Sequence, residues 1–218
     1  LTGKSFIGGL VGFIVSDSTI NESYAAVSLT LIPSYMYVGG LVGEAPPESI
    51  QNDINRSYWD MSFYETSEGG VGLDTADMKK ISSFSDWDFS TDWGLIENTT
   101  YPMHRAGYEQ VLLDSILVDG DPLAGFTSGH GTYTIFRGSD DPIKLTPILA
   151  ATASESTVTI NGNNDLTAPV HLPSDPTKIE IQVESANGVW TGLYILHIHL
   201  DEQDPDIELT LDPSSLTA

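Results

Sequence analysis

Carboxylates are the residues most able to do chemistry here. Asp201-Glu-Gln-Asp-Pro-Asp-Ile-Glu208 packs five acids into eight residues. Charges at that density repel unless a cation joins them, and Ca²⁺ accepts about six to eight oxygens in flexible geometry. Asp201, Glu202, Asp204 and Asp206 are the expected ligands, with Asp119 or Asp121 of the Asp119-Gly-Asp-Pro122 turn completing the shell. The alternative is a solvated acidic hinge. Trp59, Trp87 and Trp93 lie among Asp60, Asp86, Asp88 and Asp92, a composition that suits stacking on a glycan. Buried core or capping aromatics are the alternative. His197 and His199 stand two apart, so on a strand they share one face. With His171 they could bind a transition metal, or they could simply face solvent. Three N-x-S/T triplets begin at Asn21, Asn55 and Asn98, and the first two could serve as turns.

Other chemistry is missing from the chain. There is no Gly-x-Ser-x-Gly, His-Glu-x-x-His, phosphate loop or dinucleotide fingerprint. Ser128, His130 and Asp140 share a neighbourhood without triad spacing. Cysteine is absent, which excludes disulfides, thiolate metal sites and cysteine nucleophiles. A non-enzymatic role is the expectation.

The 218 residues carry 31 acids against 8 Lys and Arg, a net charge of -23 and a pI near 4.1. That balance opposes nucleic-acid binding, which needs clustered cations. It also opposes docking on anionic lipid. Mean hydropathy is -0.07 with 40% hydrophobic residues, enough for a core. No run reaches the ~18 apolar residues of a membrane span. The opening at Leu1, already strand-like, suggests a piece of something longer.

Two composition regimes must position these residues. Residues 1–107 are rich in Gly, Ser and aromatics, and residues 108–200 alternate apolar and polar; 201–218 reads as an acidic linker and the start of a further module. The one helical signal is short, Thr75-Ala-Asp-Met-Lys-Lys-Ile-Ser82, with Asp74 or Thr75 as its cap. An internal repeat organises the first regime. Phe6-Ile-Gly-Gly-Leu-Val-Gly12 returns as Val38-Gly-Gly-Leu-Val-Gly43, with Gly9 and Gly40 31 residues apart. Ile20-Asn-Glu-Ser-Tyr24 returns as Ile54-Asn-Arg-Ser-Tyr58. Short repeats of this kind predict stacked β-coils, a truncated β-solenoid; two ordinary hairpins are the alternative. The aromatics from Trp59 to Trp93 would close its end.

These blocks resemble GLUG-motif repeats, found in large bacterial and archaeal surface proteins, adhesins and the stalks of IgA-specific metallopeptidases. The stretch Ser57-Tyr-Trp-Asp60, Gly69-Gly-Val-Gly-Leu73, Thr75-Ala-Asp-Met78, Phe84, Trp87-Asp-Phe89, Trp93-Gly94 and Tyr101-Pro102 resembles the segment that commonly closes such arrays. Two blocks imply the tail of a longer array.

The second regime predicts seven strands: Leu112–Val118, Gly131–Phe136, Ile143–Ala150, Ser156–Ile160, Thr167–Leu172, Lys178–Glu184 and Gly192–Leu200. Gly, Asn, Asp and Pro turns separate them, the pattern of a β-sandwich. Leu117-Val-Asp-Gly120, Val158-Thr-Ile-Asn-Gly162, Ile179-Glu-Ile-Gln-Val183 and Tyr194-Ile-Leu-His-Ile-His199 resemble cadherin-like modules of bacterial surface proteins. The expected fold is all-β, a β-solenoid-like repeat with capping segment followed by an Ig/cadherin-like β-sandwich. The expected role is a non-catalytic stalk or adhesion segment at the cell surface or outside the cell. Its partners would be adjacent modules of its own polypeptide and a surface glycan or protein ligand. The alternatives are a glycan-binding module, or a filament subunit whose Leu1–Ile14 or Ile207–Leu216 strand completes a neighbour's sheet.

Overall fold

The computed structural model describes residues 6–15, 18–29, 37–45 and 54–200. The architecture is all-β, with one five-residue α-helix and three short 3-10 turns among the described residues.

The first repeat supplies β1 (Phe6–Gly8), β2 (Val11–Phe13), β3 (Ile20–Asn21) and β4 (Tyr24–Ala25). The second supplies β5 (Tyr37–Gly39), β6 (Val42–Glu44), β7 (Ile54–Asn55) and β8 (Tyr58–Asp60). Each strand pairs in parallel with its equivalent in the other repeat. Phe6 faces Tyr37, Val11 faces Val42, Ile20 faces Ile54 and Tyr24 faces Tyr58. The repeats therefore bond to one another and do not fold into separate hairpins. Their apolar side chains meet in one cluster, Ile14, Ile20, Ala25, Leu41, Val42, Ala45 and Trp59.

Close backbone approach makes the glycines of this motif necessary. A Cβ on Gly40 would lie 2.1 Å from Cδ1 of Trp59. The six-membered ring of the same indole is met by Gly72, whose Cβ would lie 2.9 Å from Cζ2. Trp59 occupies the position held by Ala25 in the first repeat. The larger residue fills the interior where the stack ends.

The segment after the repeats behaves as a third layer. β9 (Val71–Leu73) pairs in parallel with β8. The Gly40 amide donates to the Thr66 carbonyl (2.7 Å), and the Val42 amide donates to Ser67 Oγ (2.9 Å). The helix expected at Thr75–Ser82 is two 3-10 turns, Asp77–Lys79 and Ile81–Ser83. The N-cap of the first is Ala76, and Asp74 Oδ1 accepts from the Asp77 amide at 2.7 Å. Lys80 is extended between them. Glu97 accepts from the Ile81 amide (2.8 Å), and the Asn98 amide donates to the Lys79 carbonyl (2.9 Å). Those tertiary bonds win because a helix this short never recovers its nucleation cost. Met78, fully buried, anchors the turns among Tyr58, Phe84, Trp87 and Leu95.

β10 (Trp93–Gly94) and β11 (Met103–His104) form an antiparallel pair that leads into α1 (Arg105–Glu109). Seven further strands come after it: β12 (Leu113–Val118), β13 (Asp121–Pro122), β14 (Thr132–Arg137), β15 (Leu145–Leu149), β16 (Thr157–Ile160), β17 (Thr177–Glu184) and β18 (Thr191–Leu200). They make a sheet ordered β13-β12-β15 and a sheet ordered β14-β18-β17-β16. Alternation is strict on β17, where Thr177, Ile179, Ile181 and Val183 are buried and their neighbours exposed. Both sheets contribute to one core, including Leu113, Ile116, Leu145, Tyr194, Leu196 and Ile198. The strand expected at Thr167–Leu172 shrinks to a single bridge between Val170 and Ile143. Pro169 has no amide to donate, and Asp165 Oδ1 captures both the amide (3.0 Å) and hydroxyl (2.6 Å) of Thr167 in a local turn.

Tyr194 ties the two sheets together. Its hydroxyl accepts from the Leu113 amide (3.0 Å) and donates to the Ser128 carbonyl (2.9 Å). Burial raises its pKa, so it stays a protonated donor. The two halves of the chain are packed as well as linked. Ile96 and Met103 join the same core as Val111 and Leu113. The Gly131 amide donates to the Glu97 carbonyl (2.9 Å), and the Glu97 amide donates to the Gly129 carbonyl (2.8 Å).

Gly40→Ala forces a methyl into Trp59, so urea denaturation is expected to show a loss of about 1–3 kcal/mol. A Cβ on Gly138 would meet nothing within 4 Å. Gly138→Ala should stay within about 0.5 kcal/mol of the parent.

Candidate functional site

The three tryptophans are divided between two core clusters. Trp59 is buried in the repeat core and donates its indole N–H to the Tyr64 carbonyl (3.0 Å). Trp87 is buried in a separate aromatic cluster and donates to the Arg56 carbonyl (2.8 Å). Trp93 is only half-buried, yet it stacks on Trp87 at 4.2 Å and on the His104 imidazole at 4.9 Å. Stacking on a glycan needs a free ring face, and each of these rings has protein packed against it. The exposed imidazole of His104 and the edge of Trp93 line an open groove of about 540 Å³ with Asn21, Glu22, Asp92 and Arg105.

Three of the neighbouring acids, Asp60, Asp88 and Asp92, accept hydrogen bonds from protein groups. Asp88 Oδ1 accepts from the Ser90 hydroxyl (2.5 Å), the Ser90 amide (2.7 Å) and the Thr91 amide (3.1 Å). The Ser90 hydroxyl, with the other donors, holds its pKa down to about 2. Asp60 is the one buried acid among the described residues. Its Oδ2 accepts from the hydroxyls of Thr75 and Tyr101, both at 2.6 Å, and its Oδ1 accepts from the Ser62 amide at 2.9 Å. Burial pushes this carboxyl up, but the hydroxyls of Thr75 and Tyr101 and the Ser62 amide outweigh it and leave its pKa lowered. Burial, then the bond to Asp60, pushes the Tyr101 phenol up to about 12. The result is a clasp. One carboxylate on β8 holds the turn at Thr75 and the chain at Tyr101, two residues before β11.

The N-x-S triplets of the repeat are turns. Ser23 and Ser57 donate their hydroxyls to the Asn21 and Asn55 carbonyls at 2.9 and 2.8 Å. The residues between, Glu22 and Arg56, share a left-handed φ of 45°. Their side chains pair across the repeats at 2.9 Å, an exposed contact worth under about 1 kcal/mol. At the third triplet, Thr100 Oγ1 accepts from the Ile96 amide (2.8 Å) and is buried.

His197 and His199 do share a face, beside Thr134, Lys178 and Phe136. His199 stacks on Phe136 at 5.3 Å and lies 3.7 Å from Asp175. His171 is exposed, outside any strand. No group of three His, Asp or Glu converges among the described residues. The expected calcium ligands Asp201, Glu202, Asp204 and Asp206 lie outside the described residues, as does Ile207–Leu216. Asp119 is already neutralised by Arg137 at 2.6 Å, and its other oxygen accepts from the Lys144 amide at 2.8 Å. The Arg137 hydrogen bond leads in lowering its pKa. Asp121 is exposed on β13.

One further surface is the outer side of the first repeat. Among the described residues β1, β2 and β3 each have a single partner strand, and β4 is the edge of its sheet. Leu10 is 47% exposed, while its equivalent Leu41 is 0% exposed. Phe6 and Phe13 are also exposed, their rings 5.0 Å apart, and Phe6 stacks on Tyr37 at 5.1 Å. The expected strand donor Leu1–Ile14 thus already spends one edge of β1 and β2 on β5 and β6. The signal in the sequence was the repeat itself, since an edge is exposed only where no equivalent covers it.

No known protein-family profile matches this chain, and no solved structure matches it. A protein of Evansella cellulosilytica named as a Gly-rich membrane protein is 36% identical over 102 residues. That stretch is 45% of this chain and 12% of the relative, so the chain corresponds to a small part of it. No helix among the described residues is long and apolar enough to cross a membrane.

Because the native carboxyl of Asp60 is lowered, its contribution to stability is present above the unfolded value of about 3.9. It is lost as pH falls through the native value. Asp60→Asn should cost about 1.5–3 kcal/mol in urea denaturation at pH 7. The gap between variant and parent should narrow when both are measured at pH 3.

Proposed function

We propose that this chain is a non-catalytic stalk or adhesion segment of a large cell-surface or secreted protein. On this reading the paired repeats are a short β-solenoid of the GLUG type, residues 57–102 are its capping segment, and β12 to β18 are an Ig/cadherin-like β-sandwich. The observation that carries the reading is the parallel pairing of each strand with its equivalent in the other repeat. Such a stack is extended along its axis and propagates by nearest-neighbour contact. The continuous core through Ile96, Met103 and Val111 supports a stiff joint between the repeats and the second half of the chain. The name of the Evansella cellulosilytica relative, a membrane protein, agrees with a place at the cell boundary.

The test uses the parent protein on its own cells. Antibodies to this segment should label intact cells. Replacing the segment with a flexible Gly/Ser linker of equal contour length should reduce attachment under flow. Label that appears only after lysis would overturn the proposal.

Calcium belongs to the same proposal. Asp201, Glu202, Asp204 and Asp206 would hold it at the joint to the next module. A fold-specific site of Kd near ~10⁻⁴–10⁻³ M is partly filled in millimolar calcium. The melting midpoint should then rise when CaCl₂ replaces EDTA at fixed ionic strength. Asp201→Asn with Asp204→Asn should abolish the rise, and an unchanged rise would exclude a site there.

A further inference from the structure

The open side of the first repeat is an acceptor face, and the interface beside it shows what fits. The second repeat is covered on both sides. One side meets β1 to β4; the other meets the Thr66 carbonyl, Ser67 Oγ and β9. Among the described residues, the first repeat carries the same groups with one side uncovered. Those edges present unpaired backbone groups beside exposed Phe6, Leu10, Phe13 and Val15. A purely apolar ligand would leave the backbone edge unpaired, and a purely polar one would leave the rings wet.

We infer that this face seats one further coil of the same repeat, in parallel register, placing a glycine over Gly9 and an aromatic ring over Phe6. The inference rests on the stalk reading and names its neighbour. Continuity with the existing interface supplies the argument. The translation that takes Tyr37 to Phe6, Val42 to Val11, Ile54 to Ile20 and Tyr58 to Tyr24 generates the next coil when applied once more. Phe6 on Tyr37 already begins a ring ladder along that axis. Gly9 already approaches the Gly40 carbonyl too closely for a side chain, at 2.1 Å from a Cβ position. The stack has a direction. Trp59 ends it by filling the interior between Gly40 and Gly72, whereas Ala25 leaves room at the same position.

The experiment places a tandem copy of residues 6–36 directly ahead of Phe6 in the full chain. Mass-spectrometric hydrogen exchange then monitors Phe6–Gly8 and Val11–Phe13. The expected result is at least about tenfold slower exchange there, protection within the copy and a higher melting midpoint. The same extended chain with Leu10→Asp and Phe13→Asp in its original repeat, beneath the copy, should give none of these. If the extended chain aggregates, a synthetic peptide of residues 6–36 added to the parent should slow the same amides. An added coil that exchanges as unfolded chain, with β1 and β2 unchanged, overturns the inference. So does a parent that sediments as a dimer dissociated by Phe13→Asp, since a second copy then owns the face. These readouts do not depend on cellular location. Label confined to lysed cells would end the stalk reading and leave this one standing.

Discussion

Backbone hydrogen bonds between the repeats hold their paired strands about 4.8 Å apart, and the first half of the molecule is shaped by that spacing. At such a separation one chain lies directly on the next. Gly40 and Gly72 leave the room that the Trp59 indole occupies. The same closeness lets a single hydroxyl, Ser67 Oγ, stand in for a missing strand by accepting from the Leu41 and Val42 amides. The Asp60 clasp then pins that substitute layer to the returning chain. Removing a through-space neighbour therefore exposes backbone and core together.

The second half obeys a different rule. Its sheets are held by interdigitated side chains, with alternation along β17 and β18. The two regimes meet where β11 and α1 hand the chain over. Gly107 lies flat against the Trp190 ring there, and Ile96 reaches Gly192. A loose tether would have left these residues in water.

The repeat was legible because Gly9 and Gly40, Ile20 and Ile54, and Tyr24 and Tyr58 keep their residue types. The spacing grows from 31 residues at the glycines to 34 at the isoleucines, so three extra residues fall between the paired strands. Most strands of the second half were legible from alternation alone. The shortened Thr167–Leu172 strand carried its own warning in Pro169 and Asp165. What the sequence hid was long-range. Nothing local shows that Glu97 and Asn98 would compete for the turns near Lys79, or that Arg137 would claim Asp119. Ring faces were equally hidden: Trp87, Trp93 and His104 look like three exposed aromatics until they are stacked in one pile.

The geometry of β18 sets how this half would bear tension. Gly192, near its start, packs against Val111, where the chain enters from the first half. Leu200, at its end, is where the chain leaves. The ten residues of the strand span about 33 Å. Tension between those two points runs parallel to the strand, across its pairings with β14 and β17. Those hydrogen bonds are then loaded in shear and must break together, whereas a pull across the strand would unzip them one at a time.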